Sequence, residues 1–180
     1  ARTGGGMSAG LAGQRVLVAG ASGFYGRNLL VRLAGSGAEV LATSRGPAPP
    51  GAPAGAWHQA DLADPAQTAA LFAAFRPQIV FHLTSASLGG LERANVRASV
   101  AADLLPTLNV LEAAAEAGVA RVILPCSMEE PFPVADAAGE LAVPETPYAM
   151  SKLVTGLYGR FFAARYGVPV AVLRCFLTYG

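Results

Sequence analysis

The chain has 180 residues, of which 53% are apolar and 14% are charged. This composition is sufficient for one domain with a sizeable core, and it excludes an intrinsically disordered chain. The 13 basic and 12 acidic residues leave a net charge of +1 without a basic run, so we expect no nucleic-acid partner and no membrane partner. Charged residues interrupt every long apolar stretch, and a transmembrane span is therefore not expected.

The start of the chain and the two cysteines indicate the cellular compartment. Residues 1–13 are rich in glycine and lack the features of a signal peptide, so we expect a disordered start or a cloning remnant. Cys126 and Cys175 lie in apolar, strand-like runs, which predicts buried thiols without a disulfide. A cytoplasmic protein is the resulting expectation.

The apolar pattern switches repeatedly between the strand period and the helix period. Strands are predicted at 15–19, 39–43, 57–60, 78–83, 121–127 and 169–176, and helices at 25–34, 65–75, 92–117 and 147–165. Irregular loops are predicted at 46–55, which holds four prolines, and at 128–145. We expect a kink at Pro106, because a proline inside a regular helix costs about 3 kcal/mol.

Strands separated by helices of this length need right-handed crossover connections. The predicted fold is therefore an α/β domain with a doubly wound parallel sheet (Rossmann-like) and helices on both faces.

A glycine-rich turn follows the first strand. Gly20, Gly23 and Gly26 have the spacing G-x-x-G-x-x-G and stand between the first strand and the first helix. Such a turn lets the backbone approach a pyrophosphate, and the helix N-terminus supplies N–H groups. This favours dinucleotide binding; the alternative is a turn that needs glycine only for tight packing.

The end of the second strand is where such folds distinguish NAD from NADP. A carboxylate there binds the ribose 2′-hydroxyl, whereas an arginine accommodates a 2′-phosphate. The chain has Ser44 and Arg45 at this point and no acid nearby, which favours NADP over NAD. The alternative is a solvated arginine at the start of a loop.

Tyr148 and Lys152 are four residues apart on the helix that Thr146 and Pro147 open, so they share one face. Lys152 is the only lysine in the chain, beside 12 arginines. An ammonium beside a phenol favours the phenolate and lowers the tyrosine pKa, and it can also donate to ribose hydroxyls. We therefore expect Tyr148 to exchange a proton with an alcohol or a ketone.

Two residues at the end of the fifth strand are further candidates for catalysis. Ser127 closes this strand, and ligands of open parallel sheets bind at the carboxyl ends of strands. Its hydroxyl is expected to hydrogen-bond the substrate oxygen, although it could instead only cap the strand. Glu129 is either a second acid or base facing the pocket or a solvated loop carboxylate.

Taken together, these residues resemble the extended short-chain dehydrogenases/reductases, in particular the NAD(P)-dependent epimerase/dehydratase group that acts on nucleotide sugars. The resemblance runs from about Gln14 to Gly180 and includes five motifs, which are GASGFYG at 20–26, DL at 61–62, HLTS at 82–85, TLNVLEAA at 107–114 and TPYAMSK at 146–152. It implies a catalytic triad of Ser127, Tyr148 and Lys152. It also implies that Asp61 and Leu62 flank the adenine.

The cofactor-binding residues expected from the motifs and from the resemblance are Gly20, Ser22, Gly23, Phe24, Tyr25, Gly26, Ser44, Arg45, Asp61, Leu62, Leu83, Thr84, Ser85, Tyr148 and Lys152. Leu83 to Ser85 are expected on the ribose and phosphate side. No metal site is expected.

The chain departs from the family pattern at several positions. It has Asp103 and Pro106 where the family usually has Asn and Gly, which is expected to alter the helix near the cofactor. Glu129 is similar to the glutamate of sugar dehydratases and decarboxylases, but Met128 replaces an Asp sometimes found before it. Family members continue for roughly a hundred residues past Gly180, so residues 14–180 are expected to be the cofactor-binding domain with its triad, without the C-terminal substrate-binding part.

The leading hypothesis is an enzyme that transfers hydride at a ring carbon of a nucleotide sugar, as an epimerase, a dehydratase or a ketoreductase. The alternatives are a non-catalytic dinucleotide-binding regulatory or scaffold protein, or a cofactor-binding fragment without a sugar site. The resemblance also implies a homodimer through the helices at 104–117 and 148–162, whose apolar side chains include Leu108, Leu111, Leu157, Phe161 and Phe162. Burial of these side chains within the chain is the other explanation.

Overall fold

A computed structural model describes residues 10–52, 55–85, 90–131, 138–140 and 142–179. Six strands lie in this part of the chain, namely β1 (Arg15–Ala19), β2 (Glu39–Ser44), β3 (Ala56–Gln59), β4 (Ile79–His82), β5 (Arg121–Ser127) and β6 (Val170–Cys175). The α-helices are α1 (Phe24–Leu33), α2 (Pro65–Phe75), α3 (Arg93–Ser99), α4 (Leu105–Ala117) and α5 (Pro147–Tyr166). A π-helical turn at Val100–Leu104 joins α3 to α4. The predicted strands and the helices predicted at 25–34, 65–75 and 147–165 are confirmed, with boundaries that differ by a residue or so. The helix predicted at 92–117 is divided into α3, the π-helical turn and α4.

All six strands are parallel and form one sheet in the order β3-β2-β1-β4-β5-β6. The chain first builds outward from β1 through β2 to β3 and then crosses to the other side with β4. The direction of building therefore reverses between β1 and β4, and in open parallel sheets ligands bind at such a reversal. The doubly wound parallel sheet expected from the sequence is confirmed.

The apolar core lies on both faces of the sheet, because side chains alternate along each strand. From β1, Leu17 points into a core shared with α2, α4 and α5, whereas Val16 and Val18 point into a smaller core under α1. The expected placement of helices on both faces is confirmed.

Helix α5 begins and ends as its sequence predicts. The Thr146 hydroxyl accepts a hydrogen bond from the Ala149 amide, and Pro147 occupies the first turn, where no N–H partner is needed. Gly159 lets the helix lie directly on β5, because a Cβ there would come within 2.7 Å of Leu124 Cδ1. The first turn of α5 is thereby fixed beside the carboxyl end of β5.

A π-helical turn lies just before Pro106, where the sequence predicts a kink. Proline has no N–H and its ring crowds the carbonyl four residues earlier, which here is Ala102 inside the turn. The wider turn carries Asp103 to a fully buried position. The helix is thus irregular at Asp103 and Pro106, the two positions where the sequence departs from the family pattern.

Some expectations fall outside the described residues or are modified by them. Of the start predicted as disordered, residues 1–9 are not described, whereas residues 10–13 form a turn in which Leu11 packs on the core under α1. Residues 53–54 of the proline-rich loop and 132–137 and 141 of the loop after β5 also lie outside the described residues. Among the described helices, none has the length and hydropathy needed to cross a membrane.

Candidate functional site

The glycine-rich turn joins β1 to α1. It lies at the carboxyl end of β1, where the order of the strands reverses between β1 and β4. A Cβ on Gly20 would lie 2.7 Å from the backbone of Leu83, and a Cβ on Gly26 would press on the Gly20 carbonyl. Packing therefore explains these two glycines. Gly23 differs, since a Cβ there would meet only the Gly20 oxygen at 3.3 Å. It is the N-cap of α1, with no side-chain hydrogen bond to the helix, so the N-terminus faces the neighbouring cavities uncapped.

A cavity of about 150 Å³ lies between the ends of β1, β2 and β4. Its lining combines the glycine turn with residues from the strand ends and the π-helical turn, namely Gly20, Ser22, Gly23, Thr43, Ser44, Arg45, Ala60, Asp61, Leu62, Leu83, Thr84, Ser85, Ala101, Ala102 and Pro106. We call it the smaller cavity. All of the residues expected at the adenosine end of a cofactor line it.

Ser44 and Arg45 differ in how they meet the smaller cavity. Ser44 is buried, and its hydroxyl donates a 2.8 Å hydrogen bond to the Gly46 carbonyl. This inward bond uses the hydroxyl proton of Ser44, which then does not point into the cavity. Arg45 is exposed, and its own backbone carbonyl accepts a hydrogen bond from Gln59 at 2.8 Å. Among the described residues that line this cavity, Arg45 supplies the only cation, its guanidinium.

A larger cavity of about 480 Å³ opens at the ends of β4, β5 and β6. It is lined by Gly23, Phe24, Tyr25, Leu83, Ser85, Pro125, Cys126, Ser127, Met128, Glu129, Tyr148, Lys152, Cys175, Phe176, Leu177 and Thr178. The two cavities share Gly23, Leu83 and Ser85, so they adjoin each other at the N-terminus of α1.

The three residues of the expected triad all line the larger cavity. Ser127 is buried, and its Oγ accepts a hydrogen bond from the Glu129 amide at 3.2 Å. Tyr148 stands above it on the first turn of α5, and the Nζ of Lys152 lies 5.7 Å from the centre of the Tyr148 ring. The sequence thus identified three side chains that the fold brings to one surface.

Lys152 forms a buried ion pair that the sequence did not predict. Its ammonium lies 3.3 Å from Oδ1 of Asp103, and the other carboxylate oxygen accepts a 3.0 Å hydrogen bond from the Ser151 hydroxyl. Asp103 was singled out only as a departure from the family pattern. The sequence signal that could have found the pair is the one acid in the otherwise uncharged stretch 98–111, in a chain with a single lysine.

The Tyr148 phenol does not show the lowered pKa expected from a neighbouring lysine. Burial raises the pKa of Tyr148 above its ordinary value, hydrogen bonding to Ser127 opposes this shift, and the carboxylates of Asp103 and Glu129 add to it. The ammonium of Lys152 is already paired with Asp103, so its charge is offset.

The two glutamates after Ser127 have different positions. Glu129 is exposed at the rim of the larger cavity, where its carboxylate accepts a 3.3 Å hydrogen bond from Thr146. Glu130 is buried, accepts a hydrogen bond from the Ser127 amide and lies 3.9 Å from Arg174. The sequence indicated Glu129 as a candidate and did not identify Glu130, whose carboxylate is hydrogen-bonded to the last residue of β5.

The cysteines also differ from each other. Cys126 is buried, as predicted, and burial raises the pKa of its thiol to about 12. The prediction of burial is wrong for Cys175, which is half-buried at the wall of the larger cavity. Both are free thiols, and within the described residues no cluster of His, Cys, Asp or Glu has the arrangement of a metal site.

His82 connects the sheet to the Asp103 region through a buried network. Its Nε2 lies 3.0 Å from the Thr107 hydroxyl, which itself donates a 2.6 Å hydrogen bond to the Asp103 carbonyl. Burial, with a smaller contribution from the Lys152 charge, lowers the pKa of His82 to about 3. The imidazole is therefore neutral at physiological pH.

The fold and the two joined cavities define an α/β nucleotide-binding domain with a polar cluster at one end. A family model, described as the NAD dependent epimerase/dehydratase family, matches residues 16–180. The chain belongs to this family, and its members are enzymes that use a nicotinamide dinucleotide.

Solved structures of similar fold include two UDP-glucose 4-epimerases, both in complex with NAD. That of Thermus thermophilus is 27% identical, with a TM-score of 0.70, and the match covers 89% of this chain and 54% of that one. That of Brucella ovis is 24% identical, with a TM-score of 0.78 and coverage of 91% and 52%. An L-threonine dehydrogenase from Clostridium difficile is 22% identical, with a TM-score of 0.76 and coverage of 91% and 53%. The chain thus spans about half the length of these proteins.

The residues present fit a nicotinamide dinucleotide. The uncapped N-terminus of α1 suits a pyrophosphate, and the adjoining cavities on its two sides provide separate places for the two ends of the molecule. The smaller cavity has Arg45 and Asp61 at the strand ends where an adenosine ribose is recognised in this architecture.

The depressed pKa of His82 predicts how stability depends on pH. Below about 6.5 the unfolded chain protonates this imidazole, whereas the folded chain resists protonation down to about 3. Stability is therefore lost as pH falls through this window, by up to about 1.4 kcal/mol per pH unit. His82→Gln should flatten the dependence of the unfolding free energy between pH 6.5 and 4.5, measured by urea denaturation.

The matched control is the other histidine of the chain, His58, which is exposed. His58→Gln should leave the pH dependence as in the unmutated protein. An equally steep slope in His82→Gln would contradict the assignment of a neutral buried imidazole.

Proposed function

We propose that this chain is the cofactor-binding and catalytic part of an NAD(P)-dependent enzyme that transfers hydride at a ring carbon of a nucleotide sugar. The observation that carries the proposal is the convergence of Ser127, Tyr148 and Lys152 on the larger cavity. Nothing in a purely structural turn or helix requires a serine, a tyrosine and the only lysine to share one surface.

Each side chain has a role that follows from its chemistry. Tyr148 takes the proton of the substrate hydroxyl as the carbon is oxidised and returns it in the reverse direction. Ser127 orients the substrate oxygen by hydrogen bonding, and Lys152 holds the ribose and supports the phenolate. When bound, the nicotinamide accepts or donates the hydride.

The net outcome is epimerisation, dehydration or ketoreduction. Glu129 at the rim of the larger cavity is the candidate second acid or base, because its carboxylate stands close enough to raise the pKa of Tyr148. L-Threonine is the second candidate substrate, since L-threonine dehydrogenases are among the solved structures of similar fold. A non-catalytic dinucleotide-binding protein and a fragment without a sugar site are the remaining alternatives.

Tyr148→Phe removes the phenolic proton and keeps the ring. We expect turnover to fall by at least about a hundredfold, because a positioned acid–base group contributes roughly 10²–10⁴-fold. Turnover should be measured on a panel of nucleotide sugars and on L-threonine, with NAD and with NADP, using the longest form of the protein. Cofactor affinity, measured by calorimetry, should change by less than about threefold, which corresponds to roughly 0.7 kcal/mol.

Tyr158→Phe is the matched control, because Tyr158 lies on the same helix, is exposed and does not line either cavity. Its turnover should be that of the unmutated protein. Undiminished turnover in Tyr148→Phe would refute the proposed mechanism, and cofactor binding without turnover of any substrate would favour the non-catalytic alternative.

We propose further that NADP binds more tightly than NAD. The guanidinium of Arg45 can meet a 2′-phosphate with paired, charge-assisted hydrogen bonds. No acidic side chain stands between β2 and β3 to repel the phosphate, although Asp61 after β3 lines the same cavity. Ser44 contributes only by being uncharged, because its hydroxyl donates its hydrogen bond to the Gly46 carbonyl. The similar epimerase structures contain NAD, so this preference would be specific to the present chain.

The contact with Arg45 is worth roughly 1.5–3 kcal/mol, which is about ten- to a hundredfold in affinity. NADP should therefore bind at least roughly tenfold more tightly than NAD at fixed ionic strength, and Arg45→Ala should remove most of the difference. Arg32→Ala, on an exposed residue of α1 outside both cavities, should preserve it. Equal affinities for the two cofactors in the unmutated protein would refute the preference.

We also propose a homodimer through α4 and α5. Of the apolar residues expected at this contact, Leu111 and Phe162 belong to the core and Leu108 packs against it. Leu157 and Phe161 remain 41% and 50% exposed. They lie four residues apart on one face of α5 and supply an apolar surface for a second copy.

Phe161→Glu should convert the dimer to a monomer, because it brings a charge into an apolar contact. Light scattering at micromolar concentration should report the dimer mass for the unmutated protein and half that mass for the variant. Val31→Glu is the control, since Val31 is also apolar and exposed but lies on α1. A monomer mass for the unmutated protein would exclude the dimer.

A further inference from the structure

Asp103 is a buried carboxylate that the proposed mechanism has not yet used. It is 1% exposed, and its partner Lys152 is 5% exposed. Oδ1 lies 3.3 Å from the ammonium, whereas Oδ2 accepts the hydrogen bond from Ser151. A carboxylate so fully removed from water needs a compensating charge, and among the described residues the ammonium of Lys152 is the one ion-paired with it.

Among the described residues, the other charged and titratable groups around this pair do not serve as the counterion of Lys152 in place of Asp103. From β4, His82 is neutral, and from β5 the Cys126 thiol stays protonated. In the loop after β5, Glu130 faces Arg174, and Glu129 is held by Thr146 at the rim. The positive charge of Arg160, which is also on α5, acts on the Cys126 thiol and opposes the rise of its pKa.

An ammonium that is paired with a carboxylate stabilises a neighbouring phenolate less than an unpaired ammonium does, because the two charges largely cancel at a distance. We propose that Asp103 is a positioning residue that fixes Lys152 beside Tyr148 and offsets its charge, so that the phenol releases its proton at a higher pH than an unpaired lysine would allow. This inference rests on the proposed acid–base role of Tyr148.

The electrostatics of the site agree with this geometry. The pKa of Tyr148 is raised chiefly by burial, and Asp103 contributes in the same direction. The Lys152 side chain is nevertheless near enough to the ring to act on it, at 5.7 Å from the ring centre to Nζ. Removing the carboxylate charge should therefore let the ammonium act on the phenol unopposed.

The test is to titrate the Tyr148 phenol directly by NMR on protein labelled with ¹³C at the tyrosine rings. Tyr148→Phe assigns the resonance among the five tyrosines. Asp103→Asn keeps the shape of the side chain and removes its charge, and it should lower the titration midpoint by about one pH unit. Asp103→Ser, a smaller neutral variant, provides the same comparison if the asparagine variant fails to fold.

Two further variants separate a charge effect from a packing effect. Ser151→Ala removes the hydrogen bond to Asp103 but leaves the charge, so it should leave the midpoint unchanged. Lys152→Met should raise the midpoint, because the ammonium that favours the phenolate is gone while the charge of Asp103 remains.

An unchanged midpoint in Asp103→Asn would overturn the proposal, and so would a midpoint that does not rise in Lys152→Met. Neither result depends on turnover. The proposed function is tested separately by the activity of Tyr148→Phe, so failure of one can be told from failure of the other.

Discussion

The buried ion pair between Lys152 and Asp103 is the interaction on which the geometry of the site depends. Removing one partner of such a pair costs about 3–5 kcal/mol, because the other charge is left uncompensated away from water. The pair therefore requires α5 and the π-helical turn to stay docked at one place. Because Tyr148 is one turn earlier on α5, the same docking fixes the phenol over the carboxyl end of β5, where Ser127 stands.

The sheet order supplies the other half of the site. The chain reverses its direction of building between β1 and β4, so the glycine-rich turn and residues 83–85 border one crevice. The crevice continues on one side to Arg45 and on the other to the polar cluster at Tyr148. A molecule with two ends joined by a pyrophosphate matches this shape, which is the physical basis for assigning a nicotinamide dinucleotide to the chain.

Much of this arrangement was predictable from the sequence, because strands and helices have different apolar periods. The periods placed Ser127 at a strand end and Tyr148 and Lys152 on one helix face, and the parallel sheet then brings them together. The pairing of Asp103 with Lys152 does not follow from helix periodicity, since the inward orientation of Asp103 depends on a π-helical turn that a regular helix period does not contain. The burial of Glu130 instead of Glu129 depends on the loop after β5, for which the sequence has no periodic signal.

A crystal structure of the protein with a bound nicotinamide dinucleotide tests the central claim most directly. The account predicts the pyrophosphate at the N-terminus of α1, the adenosine in the smaller cavity beside Arg45 and Asp61, and the nicotinamide in the larger cavity beside Tyr148. A cofactor bound with its nicotinamide away from Tyr148, or bound outside these two cavities, would contradict it.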